Sequence, residues 1–223
     1  GIPDATDNCP NTPGQQGDAC DDGNASTTND VIDATCACSG TAPTVGWTQR
    51  ADLGAGDRAQ PFSFEVSGKG YIGGGFDGTI NITSDVWCYD PSSNSWSQVA
   101  DFAGGGRAGA ATFTLGSRGF VCGGITSNGV TNEMWAYYPP DNVWEPRPDY
   151  PGAGPRQPIA FAIGDKGYVG TGADGSLNLY ADFYSFNPGT GLWTAMADVP
   201  GGGREQHVGD HERTRWCLVG RRR

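Results

Sequence analysis

The sequence predicts an all-β protein, an array of four-stranded units of the propeller-blade kind, with three units complete and a fourth begun. Three observations predict it. The 223 residues include 37 Gly, 15 Pro and 7 Trp, are poor in lysine, and show few stretches of helical periodicity; that composition favours short strands joined by tight turns. Several unrelated markers recur at one spacing of about 49 residues. Each period holds four strand-like segments, the signature of a blade.

The chain opens differently. Residues 1–46 hold seven aspartates (Asp4, Asp7, Asp18, Asp21, Asp22, Asp30, Asp33), no Lys or Arg, and four of the seven cysteines. Too few apolar residues are present to build a core, so disulfides or bound metal must hold this segment, or else it is a flexible leader. "TAPTV" at 41–45 reads as a linker. The texture of strands and turns then covers 47–204, and 205–223 is an aberrant basic tail. The start at Gly1 without Met is that of an excised or processed piece.

The period is set by several markers at once. Trp47, Trp96, Trp144 and Trp193 are 49, 48 and 49 residues apart, and Arg58, Arg107, Arg156 and Arg204 follow at 49, 49 and 48. Gly70-Tyr71, Gly119-Phe120 and Gly167-Tyr168 keep the step, each followed by a glycine cluster ("IGGG", "VCGG", "VGTG"). "KGYIGGGFDG" is therefore one register of a repeat; it also lacks the Gly-Lys-Ser/Thr ending of a phosphate-binding loop. In the first unit "PFSFEV" alternates as a half-buried strand, "GYIGGG" is a strand ending in backbone that packs closely, "DVWCYD" alternates again, and "SWSQVA" is the fourth. "DPSSNS" is the turn between the last two. Cys88 and Cys122 match small residues in the other units and read as small core residues.

The glycine doublet, the aromatic before it, and the endings "DVWCYDP", "EMWAYYP" and "DFYSFNP" with their closing Trp resemble Kelch repeats of the galactose-oxidase-like superfamily. "ADFAGGGR" and "GDKGYVGTG" resemble the arrays of secreted bacterial proteins. The resemblance implies three complete blades, at about 54–102, 103–150 and 151–199. Residues 47–53 match the fourth strand of a unit, and in similar propellers such a strand completes the last blade. The tail departs from the pattern: residues 209–215, read one base along, spell a stretch like 162–167, so a frameshift or fragment end is expected, with a natural basic tail as the alternative.

The arginines Arg58, Arg107, Arg156 and Arg204 fall in the loops leading each blade, which in Kelch propellers cluster on one rim. A circle of arginines suits a carboxylate or acidic peptide. The competing reading, which the recurrence in every unit favours, is that each Arg braces its own loop. The loops after the glycine clusters vary more and are where specificity would sit.

"GIPDATDNCPNTPGQQGDACDDG" resembles a thrombospondin type 3 repeat, which implies calcium ligands at Asp4 and Asp7, with the usual aspartate run before the second Cys missing. Separately, Asp22, Asn24, Ser26, Thr28, Asp30 and Asp33 fall at positions 1, 3, 5, 7, 9 and 12 of an EF-type loop, with Thr27 in place of the sixth-position Gly and Asp for Glu at the twelfth. A solvated acidic linker gives the same composition. Cys9, Cys20, Cys36 and Cys38 allow three disulfide pairings, and disulfides outrank zinc in this setting.

The charge of −11 argues against nucleic acid, and no run of about 18 apolar residues spans a membrane. His207 and His211 are the only histidines and both lie in the tail, so copper is not expected, and neither a nucleophile elbow nor a Ser-His-Asp set is visible. The expected protein is a non-catalytic scaffold, secreted or at the cell surface, with a protein or glycan ligand at the rim and calcium as its only expected cofactor. The alternative is a piece of a carbohydrate-active propeller enzyme, of oxidase or sialic acid mutarotase type, with its catalytic residues in absent blades.

Overall fold

The computed structural model describes residues 14–42 and 46–205. Asp4, Asp7, Cys9, most of the linker at 43–45 and the tail from 206 onward lie outside the described residues. The chain divides into two compact units, 1–49 and 50–223, so the division falls three residues later than the sequence boundary.

The first unit contains an antiparallel hairpin of β1 (Thr28–Ile32) and β2 (Cys38–Thr41). Its turn is held by Asp33, whose Oδ1 accepts hydrogen bonds from the backbone N–H groups of Thr35 and Ala37 and from the Thr35 hydroxyl. Ile32 is the one apolar side chain buried here among the described residues. With so little core, a crosslink carries the stability: Cys20 and Cys38 form a disulfide, which selects among the pairings open in the sequence, and Cys36 is disulfide-bonded as well.

The second unit is three four-stranded antiparallel sheets in a row, with no helix among the described residues. The first is β3 (Phe62–Val66), β4 (Lys69–Gly73), β5 (Val86–Asp90) and β6 (Ser95–Val99), paired in chain order. The second is β7 (Ala111–Leu115), β8 (Arg118–Cys122), β11 (Met134–Tyr138) and β12 (Val143–Arg147), with a small hairpin of β9 (Ile125–Thr126) and β10 (Gly129–Val130) rising from the β8–β11 loop. The third is β13 (Ile159–Ile163), β14 (Lys166–Gly170), β15 (Phe183–Asn187) and β16 (Leu192–Ala195).

Alternation dictates the faces. In β3, Phe62, Phe64 and Val66 are buried while Ser63 and Glu65 are exposed, as period-2 geometry requires. Tyr71 stacks on Phe64, its neighbour in register, at 5.2 Å between ring centroids; Phe120 on Phe113 at 4.8 Å and Tyr168 on Phe161 at 5.5 Å repeat the pair. A small residue lies beside each pair: Cys88, Ala136 and Ser185, all buried. Size trades across β3–β4 and β7–β8 as well. Phe62 fills the space over Gly73, whereas Ala111 faces Cys122.

One contact joins sheet to sheet. A Cβ on Gly119 would run into the ring of Phe64, and a Cβ on Gly167 into that of Phe113. Glycine is required there because a neighbouring aromatic occupies the side-chain position. Thr112 and Thr114 hydroxyls add hydrogen bonds across the first seam, to the carbonyls of Ser63 and Glu65 (2.5 and 2.6 Å). The last glycine of each cluster binds the following loop: Gly75, Gly124 and Gly172 N–H donate to the carbonyls of Arg107, Pro155 and Arg204 at 2.8, 2.7 and 2.6 Å.

Residues 47–53 form no strand, and Trp47 is fully exposed. A fourth strand needs a third to pair with, and none lies beside it among the described residues. The end of the segment still keeps its place in the repeat. Trp96 Nε1 donates to Ala51 O, as Trp144 Nε1 does to Ala100 O and Trp193 Nε1 to Pro148 O.

The third sheet shows what the seam contributes. Phe161 is 40% exposed, against 8% for Phe64 and 4% for Phe113. Phe64→Ala is expected to cost about 3–5 kcal/mol of unfolding free energy, and Phe161→Ala less than about 1 kcal/mol. Urea unfolding of the two variants measures both, and equal losses would remove the seam as the source of the difference.

Candidate functional site

The recurring arginines find partners that recur with them. Asp85, Glu133 and Asp182 stand just before the third strand of each unit, 48 and 49 residues apart. Arg58 Nη2 donates to Asp85 Oδ2 at 2.6 Å, and Trp87 Nε1 donates to the same oxygen at 2.7 Å. Arg107 is completely buried. Its Nη1 donates to Gly123 O, its Nη2 to Gly104 O and, at 2.6 Å, to Glu133 Oε2, and its guanidinium lies 5.0 Å from the centre of the Phe102 ring. An arginine so enclosed is engaged inside its own unit and offers no face to a ligand at the rim.

The third unit departs. It has one residue fewer between its arginine and its first strand, and Arg156 Nε lies 3.8 Å from Glu205 Oε2. Asp182 instead accepts the Ala153 N–H. Arg204 turns back on its own loop, donating to Pro200 O and Gly202 O. Arg58 and Arg107 therefore brace their loops through an acid, Arg204 binds its own loop carbonyls, and Arg156 lies near Glu205 without a hydrogen bond to it. The acidic partners recur at nearly the period of the arginines, within one residue.

Burial pushes Asp85 up, yet hydrogen bonds from Trp87 and Arg58 outweigh it and hold its carboxyl below the ordinary value. Burial likewise pushes the Cys122 thiol up, and Cys88 and Cys122 are both buried and unoxidised, which makes them packing residues.

The braces present three loops. Residues 76–82 and 173–179 share a turn. Asp77 Oδ1 accepts from the N–H groups of Thr79 and Asn81, and Asp174 Oδ1 from those of Ser176 and Asn178. Asn178, with Tyr180 behind it, holds Asp174 at about 2, so both aspartates are turn formers. Each turn puts an apolar residue in the left-handed region, Ile80 at φ 68° and Leu177 at φ 66°, and leaves it 84% and 59% exposed. For β-branched Ile80 this is strained backbone. The middle unit carries the β9–β10 hairpin instead, and it walls a cavity of about 380 Å³ with Gly104, Gly105, Gly106, Ser127, Asn128 and Glu133.

In the first unit, carboxylate oxygens of Asp21, Asp22 and Asp30 all lie within 4.8 Å of one another. Asp22 and Asp30 belong to the EF-type spacing; Asp21 does not. Asn24 caps the Ser26 N–H and Thr28 begins β1, so the spacing runs through a turn and into a strand. Asp33 is engaged at the far turn. Hydrogen bonds from Asn24, Thr27 and Gly40 hold the Asp22 carboxyl below its usual value despite some desolvation, and Asp30 Oδ1 is buried without a hydrogen-bond partner. Three carboxylates with one orphaned oxygen fit a hard divalent cation.

The description of the KLHDC2/KLHL20/DRC7 Kelch-repeats domain matches residues 62–212, more than half of the chain. The chain belongs to the Kelch-repeat family. Its three sheets make a partial Kelch β-propeller. Among solved structures, 167 chains match; that of YjhT agrees with a TM-score of 0.64 at 21% identity, over 71% of this chain and 57% of that one. At this identity the likeness concerns the fold alone, and the chain spans 57% of the length of YjhT. The comparison with curated proteins finds no match.

Within the Kelch units, Glu133→Gln leaves Arg107 buried without its countercharge and is expected to cost about 2–3 kcal/mol, read by urea unfolding; a loss below about 0.5 kcal/mol would contradict the brace. Asp85, held low in the folded state, adds stability above about pH 4 that disappears as pH falls through its folded value. Asp85→Asn is therefore expected to flatten the acid limb of the pH–stability curve below pH about 4, and an unchanged limb would exclude that linkage.

Proposed function

We propose that this Kelch protein is a non-catalytic binding scaffold that works outside the cell, secreted or at a cell surface, and takes a protein or glycan partner on its rim loops. The observation that carries the reading is a contrast within one repeat. The arginine, its acid and the indole behind it recur in the first two units, whereas the loops of the three units differ: two Asp-anchored turns with apolar tips at Ile80 and Leu177, and between them a hairpin over a polar cavity. Varied loops on a rigid repeat are the usual seat of recognition. The Cys20–Cys38 disulfide supports an oxidising compartment.

The acidic first unit serves in this reading as a calcium-bound spacer. Asp21, Asp22 and Asp30 supply the carboxylates, and the ion neutralises charge that the small hairpin has no basic residue to balance. The second reading is a piece of a carbohydrate-active propeller enzyme. It needs catalytic residues outside the described units.

Glycan-array and pull-down binding test the first reading. Capture of a partner is expected to fall at least about tenfold when Ser127 and Asn128 are changed to Ala or Ile80 and Leu177 to Ser, with thermal unfolding unchanged; a captured partner indifferent to both sets of changes would exclude the rim. Calcium is tested separately: adding it is expected to raise the melting temperature of wild type and not of an Asp21→Asn/Asp30→Asn variant, and equal behaviour of the two would exclude this site.

A further inference from the structure

The second Kelch unit holds a charged cluster that the braces do not explain. Arg118 opens β8, at the end away from Gly123 and Gly124 and the rim, while Glu145 and Arg147 lie on β12. Phe120, Ala136 and Glu145 stand side by side in register, and residues two apart share a face, so both arginines flank Glu145 on one side of the sheet. Glu145 Oε2 accepts from Arg118 Nη1 at 2.7 Å and also from Arg147 Nη2. Two guanidinium groups thus converge on a single oxygen. With Phe120 and, from the third unit, Pro188, they line a groove of about 340 Å³. Arg118 is steadied by the Tyr138 ring, 5.1 Å away.

Three properties separate this cluster from ordinary surface pairing. It does not repeat: the matching positions hold Lys69, Ser97 and Val99 in the first unit and Lys166, Thr194 and Met196 in the third. A residue that props the repeat recurs, as Arg58 and Arg107 do, so a set confined to one unit has another use. It is locally positive, two cations against one anion, in a chain of net charge −11. Its side chains remain 28–44% exposed, and pairs that open contribute only about 0–1 kcal/mol to folding.

We propose that the groove is a binding site for a ligand bearing a carboxylate, with Glu145 as its internal stand-in. Glu145 holds the two guanidinium groups converged on the point a ligand carboxylate takes. Each guanidinium carries five donors and gives Glu145 one, leaving N–H groups free for a forked contact. Half-exposed Glu145 turns outward as the ligand enters, and the uncharged body of the ligand lies against Pro188. The Arg118 hydrogen bond holds the Glu145 carboxyl below its ordinary value, so the stand-in stays ionised through neutral pH. This site is independent of the rim and survives if the rim reading fails.

Calorimetric titration of the full chain at low salt tests it, with acetate, glucuronate and N-acetylglutamate as probes and glucose as the neutral control. Wild type is expected to bind at least one carboxylate and not glucose. Glu145→Gln, which removes the competitor, is expected to tighten that binding about tenfold or more, and Arg118→Met or Arg147→Met added to it to abolish the gain. A preference for glucuronate identifies a sugar acid, a preference for N-acetylglutamate an acidic peptide, and equality with acetate recognition of the carboxylate alone. Binding in E145Q no tighter than in wild type, or untouched by R147M, would overturn the proposal. Thermal melts accompany each variant; if E145Q does not fold, wild type against R147M decides, and carboxylate binding that is absent or equal in the two overturns it.

Discussion

An aromatic ring from the first strand of one sheet resting on a glycine in the second strand of the next is the contact on which the Kelch array depends. It occurs as Phe64 on Gly119 and as Phe113 on Gly167. Much of the sequence follows from it. The ring must be large, because it fills the wedge between two twisted sheets; a buried aromatic of this size removes some 150–250 Å² from water. The partner must be glycine, because any Cβ occupies the space of the ring. The stacked partner, Tyr71 or Phe120, fixes the ring plane from its own sheet, and a small residue beside it, Cys88 or Ala136, leaves the ring its room. The period of the sequence is the period of this contact.

The glycine doublets and the arginines extend the same constraint to the rim. Once sheets sit at fixed spacing, the loop leading each one passes close over the end of its predecessor, where Gly75, Gly124 and Gly172 donate to its carbonyls. Arg58 and Arg107 then tie that loop to the acid before the third strand. In the second unit Arg107 is fully buried while Glu133 stays half-exposed, and desolvating the guanidinium is tolerable only because carbonyls, a carboxylate and the Phe102 ring surround it. Loops held so firmly at their bases are free to differ at their tips.

This logic also explains what was legible in the sequence. The strands, their faces and the packing roles of Cys88 and Cys122 followed from alternation and from markers that recur, because a repeated contact leaves a repeated residue. The brace was half legible: the arginines stood out, and Asp85 and Glu133 keep the period to within one residue but look like ordinary acids before a strand. Residues 47–53 matched a fourth strand in composition, yet strand formation depends on a partner that composition does not reveal. In the first unit the Asp22 to Asp33 spacing imitated a calcium loop, while β1 begins at Thr28 and separates Asp33 from Asp22; aspartate spacing does not specify backbone. The Arg118–Glu145–Arg147 cluster was invisible because its members are 27 and 2 residues apart and belong to no period.

A double-mutant cycle on Phe113 and Gly167 tests the seam most directly. Gly167→Ala alone is expected to destabilise by about 2 kcal/mol or more, since its Cβ meets the Phe113 ring, and to become nearly neutral once Phe113 is Ala, giving a coupling above about 1 kcal/mol. Additive losses, with Gly167→Ala equally costly in both backgrounds, would mean that the glycine serves its own strand and that ring-on-glycine packing does not set the array.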